Sequence, residues 1–125
     1  MAASFKSYRD LEVWQRSMQL AKRIYQATQN FPSEEQFGLT NQLRRASASV
    51  PSNLAEGRAR FGAGEFSRFI SIAMGSVAEI ETQILLSTEL GYLKADLSKE
   101  LMTELEAIGK MLRGLAKAIG KRRNA

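Results

Sequence analysis

Apolar residues return every three or four positions in four separate stretches of this chain, and nowhere do they alternate. That period places side chains on one face of a helix, and the missing period of two argues against strands. The stretches predict helices over about residues 10–29, 34–59, 65–90 and 96–118, followed by a basic tail over 119–125. In the first, Trp14, Met18, Ala21 and Tyr25 form one stripe, beside a second of Val13, Leu20 and Ile24. This arc is wider than a surface helix needs, so it can face both its own bundle and a second subunit. In the last, Leu101, Leu105, Ile108, Leu112, Leu115 and Ile119 keep a strict 4-3-4-3-4 spacing, the seam of a coiled-coil-like pairing. Gly109, Gly114 and Gly120 weaken that helix, so fraying is expected after Ala118. Short connections make neighbours antiparallel. The fold predicted is all-α, a single up-down-up-down four-helix bundle.

Punctuation fits this division. Asp10 can cap the first helix and Ser33 the second. Pro32 ends helical geometry at Phe31. Gly62-Ala63-Gly64 reads as a flexible turn, and Gly91 as a left-handed cap on which Tyr92 and Leu93 fold back. The exception is Pro51, which falls inside the pattern Leu39, Leu43, Ala46, Val50, Leu54. Its ring clashes with the carbonyl of Ser47, so the second helix is expected to kink or break there. Ser47, Ser49, Ser52 and Asn53 crowd the same place and can satisfy the backbone groups that the proline frees. The bend would aim Arg44 and Arg45 differently from Arg58 and Arg60, and Pro51→Ala should disturb assembly before helicity.

Histidine and cysteine are both absent. This removes disulfides, thiolate nucleophiles, Cys/His zinc sites and imidazole bases. The remaining Ser, Tyr, Lys, Asp and Glu form no distinctive catalytic arrangement, so the expectation is a non-enzyme without cofactor or metal. Glu56, Glu79 and Glu81 are the best carboxylate set, but bundle di-metal sites use Glu-x-x-His, and Glu79 is expected to pair with an arginine. The longest aliphatic run, Ile84-Leu85-Leu86, is far short of a membrane span, and no secretory signal opens the chain. A cytoplasmic protein is expected.

Charge is segregated. Residues 1–62 carry 9 basic and 5 acidic groups, residues 63–109 carry 3 and 8, and residues 110–125 carry 6 and none. Such a distribution favours association of opposite faces or a basic surface for a polyanion. Two basic groups stand out: Arg44, Arg45, Arg58, Arg60 and Arg68, and the tail Lys110, Arg113, Lys117, Lys121, Arg122 and Arg123. The expected nucleic-acid contacts are Arg44, Arg45, Arg58, Arg60, Lys117, Lys121, Arg122 and Arg123. Carboxylates could claim the arginines instead, and the macrodipole accounts for some of the tail. No motif for sequence-specific readout is present. Trp14 belongs to the apolar stripe, whereas Phe5 and Tyr8 could staple the first helix or dock on a neighbouring subunit.

Several stretches together carry a resemblance. They are Tyr8 to Gln15, Phe31-Pro32, Glu34 to Ala46, Ser49 to Gly57, Glu65 to Phe69, Gly75 to Gln83, and Leu90 to Leu93. Across roughly residues 5–118 the chain resembles a bacterial four-helix-bundle family that includes proteins encoded in intervening sequences of large-subunit ribosomal RNA genes. The resemblance implies a protomer that assembles into a ring, a homopentamer. It also implies kinship with accessory proteins of diversity-generating retroelements, basic barrels that bind nucleic acid and a reverse transcriptase. Two departures remove possible phosphate contacts: Met74 stands where the family often has a basic residue, and Gly62-Ala63-Gly64 where it has a basic, Ser-containing turn. The leading reading is thus a homo-oligomer presenting a basic surface to RNA or DNA. The alternative is a protein-binding adaptor for a nucleic-acid enzyme such as a reverse transcriptase.

Overall fold

Ser7 precedes a 3-10 turn at Tyr8–Asp10, its hydroxyl accepting the Arg9 N–H at 3.0 Å. The computed structural model describes residues 7–60 and 62–124, with side chains through Gly120. Asp10 lies within that turn rather than capping a helix, and α1 runs Glu12–Thr28. The second helix begins later than its acidic start suggests. Ser33–Glu35 forms a separate 3-10 turn, Gly38 bends the chain, and α2 spans Leu39–Ala59. The reason is Glu35, whose carboxylate turns back to accept the Leu39 N–H at 3.0 Å. It thereby caps α2 from four residues away, and a Cβ at Gly38 would collide with it.

The Gly62 backbone, at φ +99°, sets the direction of α3, Ala63–Glu89, so helix begins inside the glycine turn rather than after it. Gly91, at φ +82°, reverses the chain at the other end, and the Tyr92 N–H returns to the Ser87 carbonyl at 2.9 Å. Then α4 runs Ala95–Asn124, past the expected fraying point. Its glycines cost up to about 1 kcal/mol each. Burial of a side chain such as Ile119 contributes about 2 kcal/mol, enough to hold the last turns down.

Cross-helix bonds fix the arrangement. Arg16 and Arg23 of α1 reach Glu104 and Glu100 of α4, so these helices run oppositely. Gln42 meets Gln83 and Ser49 meets Ser76, which orients α2 against α3 in the same way. Between them the four helices enclose one core. Leu20 and Ile24, Leu43 and Leu54, Ile70 and Ile80, and Leu101, Leu105, Ile108 and Leu112 are all completely buried. By length and mean hydropathy, 1.4, α3 could cross a membrane, but its Phe69, Ile70, Ala73, Val77 and Ile80 line this core.

α2 continues through Pro51 without a break. The Ser47 and Ser49 hydroxyls donate to the carbonyls of Arg44 and Ala46, and the Asn53 amide donates to that of Ser49 at 2.7 Å. These polar groups are thus spent on their own helix and on Ser76, leaving no cluster for a ligand. Near the other end of α2, the Glu35 carboxylate also accepts the Tyr92 hydroxyl at 3.1 Å. One side chain therefore ties the start of α2 to the α3–α4 connection. Glu35→Ala removes a cap and orphans a phenol, and a loss of about 1 kcal/mol is expected in urea unfolding.

Desolvation, then the Glu35 carboxylate, pushes the Tyr92 phenol above its ordinary range. A raised phenol pKa in the folded state stabilises below the unfolded value and is lost as pH rises through the folded one. Ultraviolet titration of the protein against Tyr92→Phe should therefore show a phenol ionising above the ordinary tyrosine range that the variant lacks.

Candidate nucleic-acid interface

The arginines singled out in the sequence have separate fates. Arg44 and Arg58 sit about 21 Å apart along α2 and serve opposite ends of the bundle. Arg44 turns inward on α1: its Nε donates to the Thr28 hydroxyl at 2.8 Å, and Nη2 donates to the Tyr25 carbonyl at 3.1 Å. Its guanidinium also lies over the Tyr25 ring, 4.9 Å from the centroid. It thus braces the C-terminus of α1. Arg45, next in sequence, is exposed and makes no ion pair with a described residue.

At the far end Arg60 pairs with Glu56 at 2.7 Å and Glu65 at 3.5 Å, and Arg68 pairs with Glu65 at 3.2 Å. Both guanidiniums lie against the Phe69 ring. Hydrogen bonding to Arg68 and its charge hold the Glu65 carboxyl below the usual range. Glu65 therefore keeps its charge, and its pairing with Arg60 and Arg68, to lower pH than an isolated glutamate would. Arg58 is half-buried and engaged within the protein. Carboxylates have claimed Arg60 and Arg68 here.

α4 differs. Lys110, Arg113 and Lys117 recur at three- and four-residue steps and are exposed, forming one stripe about 10 Å long. Lys110 reaches Glu106 at 3.8 Å, an exposed and weak pair. Arg113 and Lys117 make no ion pair with a described residue. The α4 backbone continues through Lys121, Arg122 and Arg123, whose side chains lie outside the described residues, as does Phe5. Met74, Val77 and Ala78 face Leu105, Gly109 and Arg113 across a cleft. α4 therefore ends beside the start of α3, and the stripe shares an end of the bundle with Arg60 and Arg68. Lys110 and Arg113 belong to the basic tail singled out in the sequence, and their three- and four-residue spacing is what puts them on one stripe with Lys117.

The carboxylates do not form a common site. Glu56 belongs to Arg60, and Glu81 lines the α3–α4 cleft. Glu79 accepts from the Gln83 amide at 3.2 Å, not from an arginine, because Gln83 occupies the next turn of α3. The aromatic residues near the N-terminus pack together: Tyr8 and Trp14 meet edge to face, with centroids 5.2 Å apart. Trp14 is half-buried and lines, with Met18, Tyr25, Ala48, Ser52 and Ala55, an open groove of about 470 Å³ between α1 and α2. The small residues of α2 at this spacing signal close approach, a pattern the proline had overshadowed.

The profile of the family described as 23S rRNA-intervening sequence protein matches residues 9–114. The chain belongs to this family. Among solved structures, this member of the 23S rRNA-intervening sequence protein family is similar to a protein of unknown function from the S23 ribosomal protein family of Bacteroides thetaiotaomicron VPI-5482. The two are 22% identical with a TM-score of 0.78, over 84% of this chain and 95% of the other. That likeness supports the helical-bundle fold. No curated protein matches the chain. The family match covers all four helices, with α4 included to Gly114, so the basic end of α4 lies at and beyond its boundary.

Proposed function

We propose that this protein is a non-enzymatic, homo-oligomeric bundle, a ring of five by its family resemblance, whose α4 stripe binds the phosphates of RNA or DNA. The observation that carries the reading is the exposed run Lys110, Arg113, Lys117, in which Lys110 has only an exposed 3.8 Å pair with Glu106 and Arg113 and Lys117 make no ion pair with a described residue. Phosphate contact needs charge on an accessible ridge, without a shaped pocket, and such binding is insensitive to base sequence. Arg44 and Arg60, named from the sequence, have structural duties in this reading, whereas Lys117, also named from the sequence, belongs to the stripe.

Anisotropy titrations of a single-stranded RNA and a DNA duplex across rising salt test the reading. Three phosphate contacts per subunit predict slopes of log affinity against log salt of about −2 for the single strand and −3 for the duplex. An affinity that does not weaken with salt would defeat it. Light scattering tests the assembly: a stable species of 13.9 kDa would show a monomer.

A further inference from the structure

Among the described residues, two groups of exposed apolar side chains flank α2, and they differ in shape and in charge. The first is the groove between α1 and α2, where Met18 is 46% and Tyr25 45% exposed. Small residues of α2, Ala48, Ser52 and Ala55, make its floor concave. Its charge is positive. Lys22 lines it, no carboxylate does, and Arg44 at the Tyr25 end bonds only to neutral oxygens, which leave the guanidinium charge uncompensated.

The second surface is the edge of α3 that borders α2. Ile72, Leu86 and Leu90 are 41%, 44% and 50% exposed there, on the same side as Ser76 and Gln83, which bond across to α2. Its charge is negative. Glu79 lies midway between Ile72 and Leu86, exposed, with the neutral Gln83 amide as its hydrogen-bond donor. The ridge from Ile72 to Leu86 is about 21 Å long and the groove from Trp14 to Tyr25 about 16 Å, so the lengths are comparable.

We infer that the α1–α2 groove of one copy receives the α3 edge of the next copy, with Glu79 facing Lys22 and Arg44 and with Ile72 and Leu86 in the groove. This rests on the homo-oligomer reading above and specifies its interface. An isologous dimer built on either surface would leave the other bare, whereas a head-to-tail contact covers both. Such a contact gives a ring where the rotation between copies closes and a filament where it does not; the family resemblance selects the ring. The two surfaces flank α2, so α2 lies toward the ring axis. α4, across the bundle from α2, lies on the outer rim with its basic stripe free.

Light scattering on the full chain, on Met18→Asp, on Ile72→Asp and on an equimolar mixture of the two variants tests the arrangement. Both positions are partly exposed, and circular dichroism checks that the variants keep their helices. Each variant alone is expected to be monomeric. The mixture should recover a heterodimer, because each variant retains one intact surface and the two intact surfaces are complementary. Ile72→Asp assembling as the wild type does, or a mixture that stays monomeric beside an oligomeric wild type, overturns the interface alone. A monomeric wild type leaves the groove to a different protein and overturns the oligomer as well. As a second readout, Lys22→Glu should weaken assembly about tenfold, and adding Glu79→Lys should restore it; a double variant no better than the single one counts against the pairing.

Discussion

Gly57→Val is expected to lower the stability of the bundle by about 3 kcal/mol in urea unfolding. Gly57 is where α2 and α3 approach most tightly: a Cβ there would lie 2.6 Å from the Phe69 Cβ and 3.2 Å from the Phe66 ring. Neither neighbour can yield at the end of a flexible side chain, because the Phe69 contact is made at its Cβ. The helices must separate instead, and the Ser49–Ser76 bond would stretch with them. Alanine should cost less, since helix propensity returns up to about 1 kcal/mol. Gly75 gives the opposite sign. Nothing lies within 4 Å of a Cβ added there, so Gly75→Ala should stabilise by about 0.5 to 1 kcal/mol. Equal effects at the two positions would show that close packing at Gly57 is not what matters.

Replacing Lys110, Arg113 and Lys117 together with alanine is expected to weaken RNA binding about a hundredfold at low salt and to remove most of the salt slope. Arg44→Ala is the informative contrast. It should leave the slope nearly unchanged while lowering stability, because the Thr28 hydroxyl and the Tyr25 carbonyl lose their donor. The reverse outcome, with Arg44 controlling the slope and the α4 variant silent, would move the binding surface to the start of α2.

The bundle was legible because its signal is repetitive. The seam from Leu101 to Ile119 needs only period and hydrophobicity, and Leu101, Leu105, Ile108 and Leu112 are completely buried. Element starts were less legible. Glu34 and Glu35 look like the acidic first turn of a helix, yet Glu35 serves the helix from outside it. That use depends on Gly38 making room, which is a matter of backbone geometry rather than composition. The end of α4 misled in another way: three glycines suggested fraying, but burial of Ile119 lies in tertiary contact and outweighs propensity. The arginines show the same limit more sharply. Arg44 and Arg45 are adjacent and chemically identical, and only the approach of α1 separates a helix brace from a free cation. Conversely, the basic run of α4 was legible in the sequence, since Lys110, Arg113 and Lys117 share a face by spacing alone and neither Arg113 nor Lys117 makes an ion pair with a described residue.

Residues 110–125 carry six basic and no acidic groups. At the opposite end of α4, Asp96 and Glu100 alternate with Lys94 and Lys99, and Glu100 pairs with Arg23. Positive charge is therefore concentrated at one end of the helix, which gives the molecule an orientation in an electric field. A polyanion at a distance comparable to the Debye length, about 10 Å at moderate ionic strength, exerts a torque before it makes any contact. The basic end is turned toward it during the approach, and fewer encounters are wasted on unproductive faces. Salt would then act mainly on the rate of arrival, while the residence time would be set by the contacts made afterwards.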